Sequence, residues 1–180
     1  RGGTSDVELA MFTGRMHTAT DAPILDEYYD YSSSIFRALS KEGYQAHAFH
    51  GNTGAFFKRS YAYDKMGAEF HDQARMKLPD SGWGAADGDV LRFAGDRLAA
   101  VKDPVVAAII LMTSHTPFTN IDRIVPDANG AGSSMHDRYC RSVRYVDQEV
   151  AKFIEKYSAH KPDTIFAVYA DHGARVSGHK

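Results

Sequence analysis

The chain has a single cysteine, Cys140, so no intramolecular disulfide can form and no zinc site can be built from thiolates. It lacks any apolar run long enough to cross a bilayer; the longest, Val105 to Met112, suits a buried strand. Also missing is a basic stripe, since 21 Lys and Arg residues are scattered among 23 Asp and Glu for a net charge of −2. No nucleic-acid partner is therefore expected, because phosphate backbones are bound by clustered positive charge. Glycine and proline are at ordinary levels, which excludes collagen-like and low-complexity chains. What is present, across 180 residues, is enough apolar content for one domain with a real core. The chain opens at Arg1-Gly2-Gly3 without an initiator Met and closes on Ser177-Gly178-His179-Lys180, so it is expected to be a piece of a longer protein.

Helix and strand signals alternate along the chain. Ser5-Asp6-Val7-Glu8 fits a capping box and, with Leu9, Met11, Phe12 and Met16 following, predicts a helix from Ser5. Ser34 to Glu42 predicts a second helix, and Tyr44 to Phe49 a strand with Tyr44, Ala46 and Ala48 on one face. Thr53 to Met66 reads as a helix ended by Gly67, Ala68 to His71 as a short strand, and Gln73 to Gly88 as a surface loop around Trp83. Asp89 to Val101 is expected to be helical and Val105 to Thr113 a central parallel strand. Gly130 to Ser134 reads as loop, Met135 to Tyr157 as a long amphipathic helix, and Thr164 to Ala170 as a last buried strand. The pattern predicts an α/β three-layer sandwich, a mostly parallel sheet with helices on both faces.

In such sheets ligands gather beyond the carboxyl ends of the strands. Three predicted strands end in histidine-bearing segments: His50-Gly51-Asn52, Ser114-His115-Thr116-Pro117-Phe118 and Asp171-His172-Gly173. Asp171 and His172 together could ligate a divalent cation, or equally be a turn cap beside a surface histidine. Thr4 sits at a helix start, where backbone N–H groups favour an anion; on its own that position suits a simple cap better. Its hydroxyl would need a base or metal to act as a nucleophile. Arg59 could grip a phosphate with paired hydrogen bonds, while Lys58-Arg59 equally suits a solvated face.

Taken in order, the motifs resemble the lipoteichoic acid synthase and phosphoglycerol transferase family, a sulfatase-like branch of the alkaline-phosphatase superfamily. The matching strings are Gly3-Thr4-Ser5-Asp6-Val7-Glu8, Gly43-Tyr44, Phe49-His50-Gly51-Asn52, Phe56-Phe57-Lys58-Arg59 and Tyr63-Asp64-Lys65-Met66-Gly67. They continue through Trp83-Gly84 with Asp87, Ser114 to Phe118, Tyr139 through Tyr145-Val146-Asp147, and Asp171-His172-Gly173, and so span nearly the whole chain.

The resemblance implies that Thr4 takes up a phosphoglycerol group covalently and also touches a metal. Manganese is the usual ion, with zinc or magnesium as alternatives, and Asp171 and His172 are two further ligands. His50, Asn52, Phe57, Arg59 and His115 match positions lining a head-group pocket. Family members often carry Trp where this chain has Phe57, and an acidic residue where it has Asn52, which leaves the head group open. The implied reaction has two steps. Thr4 attacks the phosphorus of a phosphatidylglycerol-like lipid and releases diacylglycerol; a glycan or polymer hydroxyl then takes the phosphoryl group.

A further family ligand, a glutamate upstream of the threonine, lies before Arg1, so this piece is expected to be inactive alone. The parent is expected to be membrane-anchored and to work on the periplasmic or extracellular side of the bacterial cytoplasmic membrane. The rival readings are a phosphodiesterase or sulfatase-type hydrolase and a non-catalytic head-group-binding fragment. A formylglycine sulfatase would need a Cys/Ser-x-Pro-x-Arg nucleophile, and Thr4 to Glu8 holds neither Pro nor Arg.

Overall fold

The computed structural model describes residues 3–16, 24, 28–126, 134–174 and 176. Its centre is a parallel sheet of strands β1 (Gln45–His50), β2 (Glu69–His71) and β3 (Val105–Ile110), in the order β2-β1-β3. The central strand is β1, buried from Ala46 to His50 although half of its residues are polar, whereas the apolar β3, expected to be central, is an edge strand among the described residues and mostly half-buried. Register places His47 beside Glu69 and Ala107, and Phe49 beside His71 and Ile109. Side chains alternate across a strand. Ala46, Ala48, Phe70 and Ala108 therefore fall on one face, and Phe49 and Ile109 on the other.

Each face carries its own core. On the first, α1 (Thr4–Thr13), α2 (Ile35–Ser40) and α3 (Arg59–Met66) deliver Leu9, Phe36, Ala62, Tyr63 and Met66 onto the small residues of the sheet. On the second, α5 (Asp87–Ala99) lays Val90, Ala94 and Leu98 over Phe49, and α7 (Met135–His160) adds Tyr157 and Phe153. Two short helices, α4 (Gln73–Met76) and α6 (Asn120–Ile124), sit in the connections. Helices on both faces of a parallel sheet are the expected sandwich. Among the described residues, no helix is long and apolar enough to cross a membrane.

Several local expectations are corrected. The first helix begins at Thr4, not Ser5, and ends at Thr13, where Gly14 takes the left-handed φ of 68° that closes a helix; Met16 lies beyond it. Its cap is also different: the Asp6 carboxylate accepts from the Gly3 N–H at 2.8 Å, so Asp6 does the work assigned to Glu8. Thr53 to Met66 is not one helix, because Phe57 and Lys58 adopt positive φ and only Arg59 onward is α-helical. The stretch Gln73 to Gly88 contains α4 and the first two residues of α5.

Thr164 to Ala170 forms no strand. Among the described residues it finds no ladder partner, and Ile165 and Val168 stand 94% and 71% exposed. Apolar composition makes a strand only where a neighbouring edge satisfies its N–H and C=O groups. Phe166 docks edge-on to Phe153 and Tyr157. The loop read over Gly130 to Ser134 lies outside the described residues except for Ser134, whose hydroxyl caps α7 by accepting from Asp137 N at 3.1 Å.

Candidate active site

His50, Phe57, Arg59, Thr4 and His172 are linked near the carboxyl end of β1, on the face covered by α1 and α3, whereas Asn52 and His115 stand apart on loops. His50 ends that strand fully buried. Its Nε2 lies 3.3 Å from Arg59 Nη1; a guanidinium only donates, so His50 Nε2 accepts and its proton sits on Nδ1. Burial first, and the Arg59 charge second, push the His50 pKa down to about 3, so the ring is neutral at pH 7.

Arg59 is itself 2% exposed. Its Nε donates to both carboxylate oxygens of Glu8, at 3.1 and 3.2 Å, and Nη2 donates to Oε1 at 2.5 Å. Tyr63 Oη donates to Glu8 Oε2 at 3.3 Å, and burial together with the Glu8 charge holds that phenol well above its ordinary pKa. The guanidinium also lies 5.2 Å from the Phe57 ring centre and 5.7 Å from that of Phe56. Two consecutive left-handed residues, Phe57 and Lys58, shape this approach, and such strain persists only where surrounding contacts over-determine it. The solvated basic face is thus not what forms: Arg59 is a buried node tying α1, β1 and α3 together.

Glu8 was legible only as a helix cap; the partner that defines it lies 51 residues away in Arg59. One turn before Glu8 stands Thr4, the first residue of α1. Its Oγ1 is 3.3 Å from His172 Nε2, across 168 residues of chain. His172 Nδ1 lies 3.2 Å from the Gly173 carbonyl, which can only accept, so neutral His172 carries its proton on Nδ1. The Nε2 lone pair then faces the threonine hydroxyl. Asp171 Oδ2 is 3.5 Å from the same Nε2, while Oδ1 accepts the His172 N–H at 2.9 Å. Ligand atoms that each lie about 2.0–2.5 Å from one ion stand roughly 3–4 Å apart. The hydroxyl and the carboxylate oxygen each stand at such a spacing from the His172 imidazole, which is two of the three edges that a shared divalent cation would need. This corner is open, with His172 side chain 48% exposed.

The other two candidates stand on loops. Asn52 turns its Oδ1 back onto Thr53 N at 2.6 Å, so its side chain organises its own loop. That loop is held by Ala85 N donating to Gly51 O at 2.6 Å. Neighbouring Gly84 has φ +91°, and a Cβ there would meet Gly51 O at 2.4 Å, so only glycine allows this approach. His115 donates from Nδ1 to the Thr116 carbonyl at 2.6 Å and its ring lies 4.5 Å from Trp83. The loop after β3 is fastened by Asp87, whose carboxylate accepts from Met112 N at 2.7 Å and Thr113 N at 3.0 Å. Burial pushes that carboxyl up to about 6. No hydrogen bond among the described residues joins His115 to Thr4 or His172.

The sequence profile of the sulfatase family matches residues 1–180. Among curated proteins, the chain is 26% identical over 180 residues to lipoteichoic acid synthase 2 of Bacillus subtilis, covering 96% of this chain and 28% of that protein. It is 26% identical over 140 residues to the lipoteichoic acid synthase of Staphylococcus aureus, covering 73% of this chain and 22% of that one. The chain thus spans about a quarter of the length of such relatives. Among solved structures, the lipoteichoic acid synthase LtaP of Listeria monocytogenes superposes with a TM-score of 0.74 at 22% identity, over 89% of this chain and 41% of its own. An alkaline phosphatase superfamily protein of Vibrio parahaemolyticus gives 0.77 at 23% identity, over 99% and 45%. The chain belongs to the sulfatase family, with an alkaline-phosphatase-type fold and lipoteichoic acid synthases among its relatives.

Proposed function

We propose that residues 1–180 are part of one sulfatase-like catalytic domain that moves a phosphoglycerol-type head group from a phospholipid to a glycan or polymer acceptor through a phosphothreonine at Thr4. The observation that carries this reading is the approach of Thr4 Oγ1 and His172 Nε2 to 3.3 Å from opposite ends of the chain. Thr4, Asp171 and His172 would hold the cation, most simply Mn2+. When bound, it would act as a Lewis acid, easing ionisation of the hydroxyl and offsetting charge on the phosphoryl oxygens.

The chain's own groups do the rest. Thr4 presents its oxygen at the first turn of α1, where unpaired N–H groups and the helix dipole favour the negative charge that develops on it. A bond forms from Thr4 oxygen to phosphorus as the bond to diacylglycerol breaks; the lipid leaves as its alcohol after taking a proton. In the second step the acceptor hydroxyl reverses this exchange, and Thr4 recovers its proton. Arg59 keeps N–H groups beyond those given to Glu8 and His50, and these, with His50, would meet the equatorial oxygens from the buried side. Phe57, Asn52 and His115 would shape the head-group pocket. The parent protein would be membrane-anchored and act on the outer side of the cytoplasmic membrane, where its lipid donor is presented.

Incubating the full-length protein with Mn2+ and labelled phosphatidylglycerol tests this directly. Native protein should transfer label and Thr4→Ala should not; equal transfer by both removes Thr4 as nucleophile. The exposure of His172 favours one rival, hydrolysis with water as acceptor, which would release free glycerol phosphate without labelled polymer.

A further inference from the structure

A second cluster of metal-ligating side chains lies on the opposite face of the sheet from Thr4. His47 on β1 is in register with Glu69 on β2, and His71 follows two residues later on the same face. His47 and His71 are buried, while Glu69 is half-buried and gives the cluster an opening to solvent. His47 Nδ1 lies 3.3 Å from His71 Nε2 and 3.3 Å from Glu69 Oε2; His71 Nε2 lies 3.7 Å from the same oxygen. Bonds of about 2.0–2.1 Å to a tetrahedral ion place ligand atoms roughly 3.3–3.4 Å apart, close to these edges. A single proton between three mutually facing acceptor atoms satisfies one edge, whereas a cation satisfies all three.

We propose that His47, Glu69 and His71 form a second cation site, separate from the Thr4 centre, that takes a late first-row divalent ion of the Zn2+ type with water completing its shell. The donor set decides the class. Two imidazoles suit Zn2+ and its neighbours, while Mg2+, Ca2+ and Mn2+ prefer oxygen ligands. The surroundings are built to hold the ligands still. His71 stacks on Phe49 at 4.7 Å with ring planes 10° apart. Glu69 is oriented by Arg75, which also donates to Phe70 O at 3.0 Å, and by Arg97 at 3.3 Å. Outer-shell partners of this kind fix ligand geometry. The same two arginines offset the Glu69 charge, which further disfavours hard cations that rely on it. Ligation through His47 Nδ1 leaves its proton on Nε2, which has no hydrogen-bond partner among the described residues, so the site is weaker than one with a bonded outer nitrogen.

The test is calorimetric titration of Zn2+ into the full-length protein carrying Asp171→Ala and His172→Ala, which disables the Thr4 centre. One equivalent should bind, and adding His71→Ala or Glu69→Gln should weaken it at least tenfold. Co2+ should produce the intense visible bands of a tetrahedral site, and Mg2+ should not compete. Should His71→Ala fail to fold, Glu69→Gln on the half-exposed strand end serves as the folded control, read also by loss of the Zn2+-dependent rise in Tm. Zn2+ binding of unchanged affinity and stoichiometry in both variants, or effective competition by Mg2+, overturns the proposal.

Discussion

The two halves of the candidate site are held in opposite ways. Around Arg59 the polar groups are buried: Glu8 and His50 bond the guanidinium, Tyr63 bonds Glu8 behind it, and the partly buried Phe57 ring lies against it. Around Thr4 the side-chain partner is His172, which with Asp171 sits on a segment that has no strand ladder among the described residues. The first half is positioned by the core and costs stability to disturb. The second is positioned by a single turn of α1 and a few polar contacts, and can be altered with little effect on folding. Preorganisation on one side and accessibility on the other is what the proposed transfer from a bulky lipid donor would require.

Breaking the buried half should produce the largest effect. Glu8→Ala leaves the Arg59 charge uncompensated in the core, and the urea unfolding free energy should fall by about 3–5 kcal/mol. A loss below that of an ordinary surface change would mean that Arg59 is not held as described. Next comes Asp87→Asn, which swaps an acceptor for a donor against Met112 N or Thr113 N and should cost about 1–3 kcal/mol, with faster amide exchange in the loop carrying His115.

A pH series sharpens the comparison further. His50 is depressed from 6.5 to about 3, so the stability it lends is complete above 6.5 and is lost as pH falls toward 3. The advantage of the native chain over His50→Gln should therefore shrink below pH 6.5 by about 1.4 kcal/mol per unit. A pH-independent difference would show that His50 is not buried as a neutral ring. The smallest effect belongs to the open half: Thr4→Ala and His172→Ala should each shift unfolding by no more than about 0.5 kcal/mol. A large loss there would erase the distinction between the halves.

The sheet and long helices were legible because local signals carry them. Tyr44 to Phe49 alternates over five residues of β1, and the apolar stripe of Met135 to Tyr157 marks α7. What stayed hidden depends on residues far apart in sequence. Glu8 looked like the fourth member of a capping box, since nothing local distinguishes a cap from an ion pair formed 51 residues later. Thr53 to Met66 has a helical composition, yet Phe57 and Lys58 turn left-handed beside Arg59. Thr164 to Ala170 has strand composition, but a strand is a property of a pair, and its ladder is not among the described residues. Candidate ligands were named by motif order; that Thr4 and His172 meet at 3.3 Å is a statement only the folded chain makes.

The central claim is that Thr4 carries the transferred group. Full-length protein held with Mn2+ and phosphatidylglycerol, without acceptor, should be quenched and its peptides weighed by mass spectrometry. The account predicts a phosphoglycerol adduct on the peptide containing Thr4, absent from Thr4→Ala and discharged when acceptor is added. An unmodified Thr4 peptide from a preparation that still transfers label would contradict it.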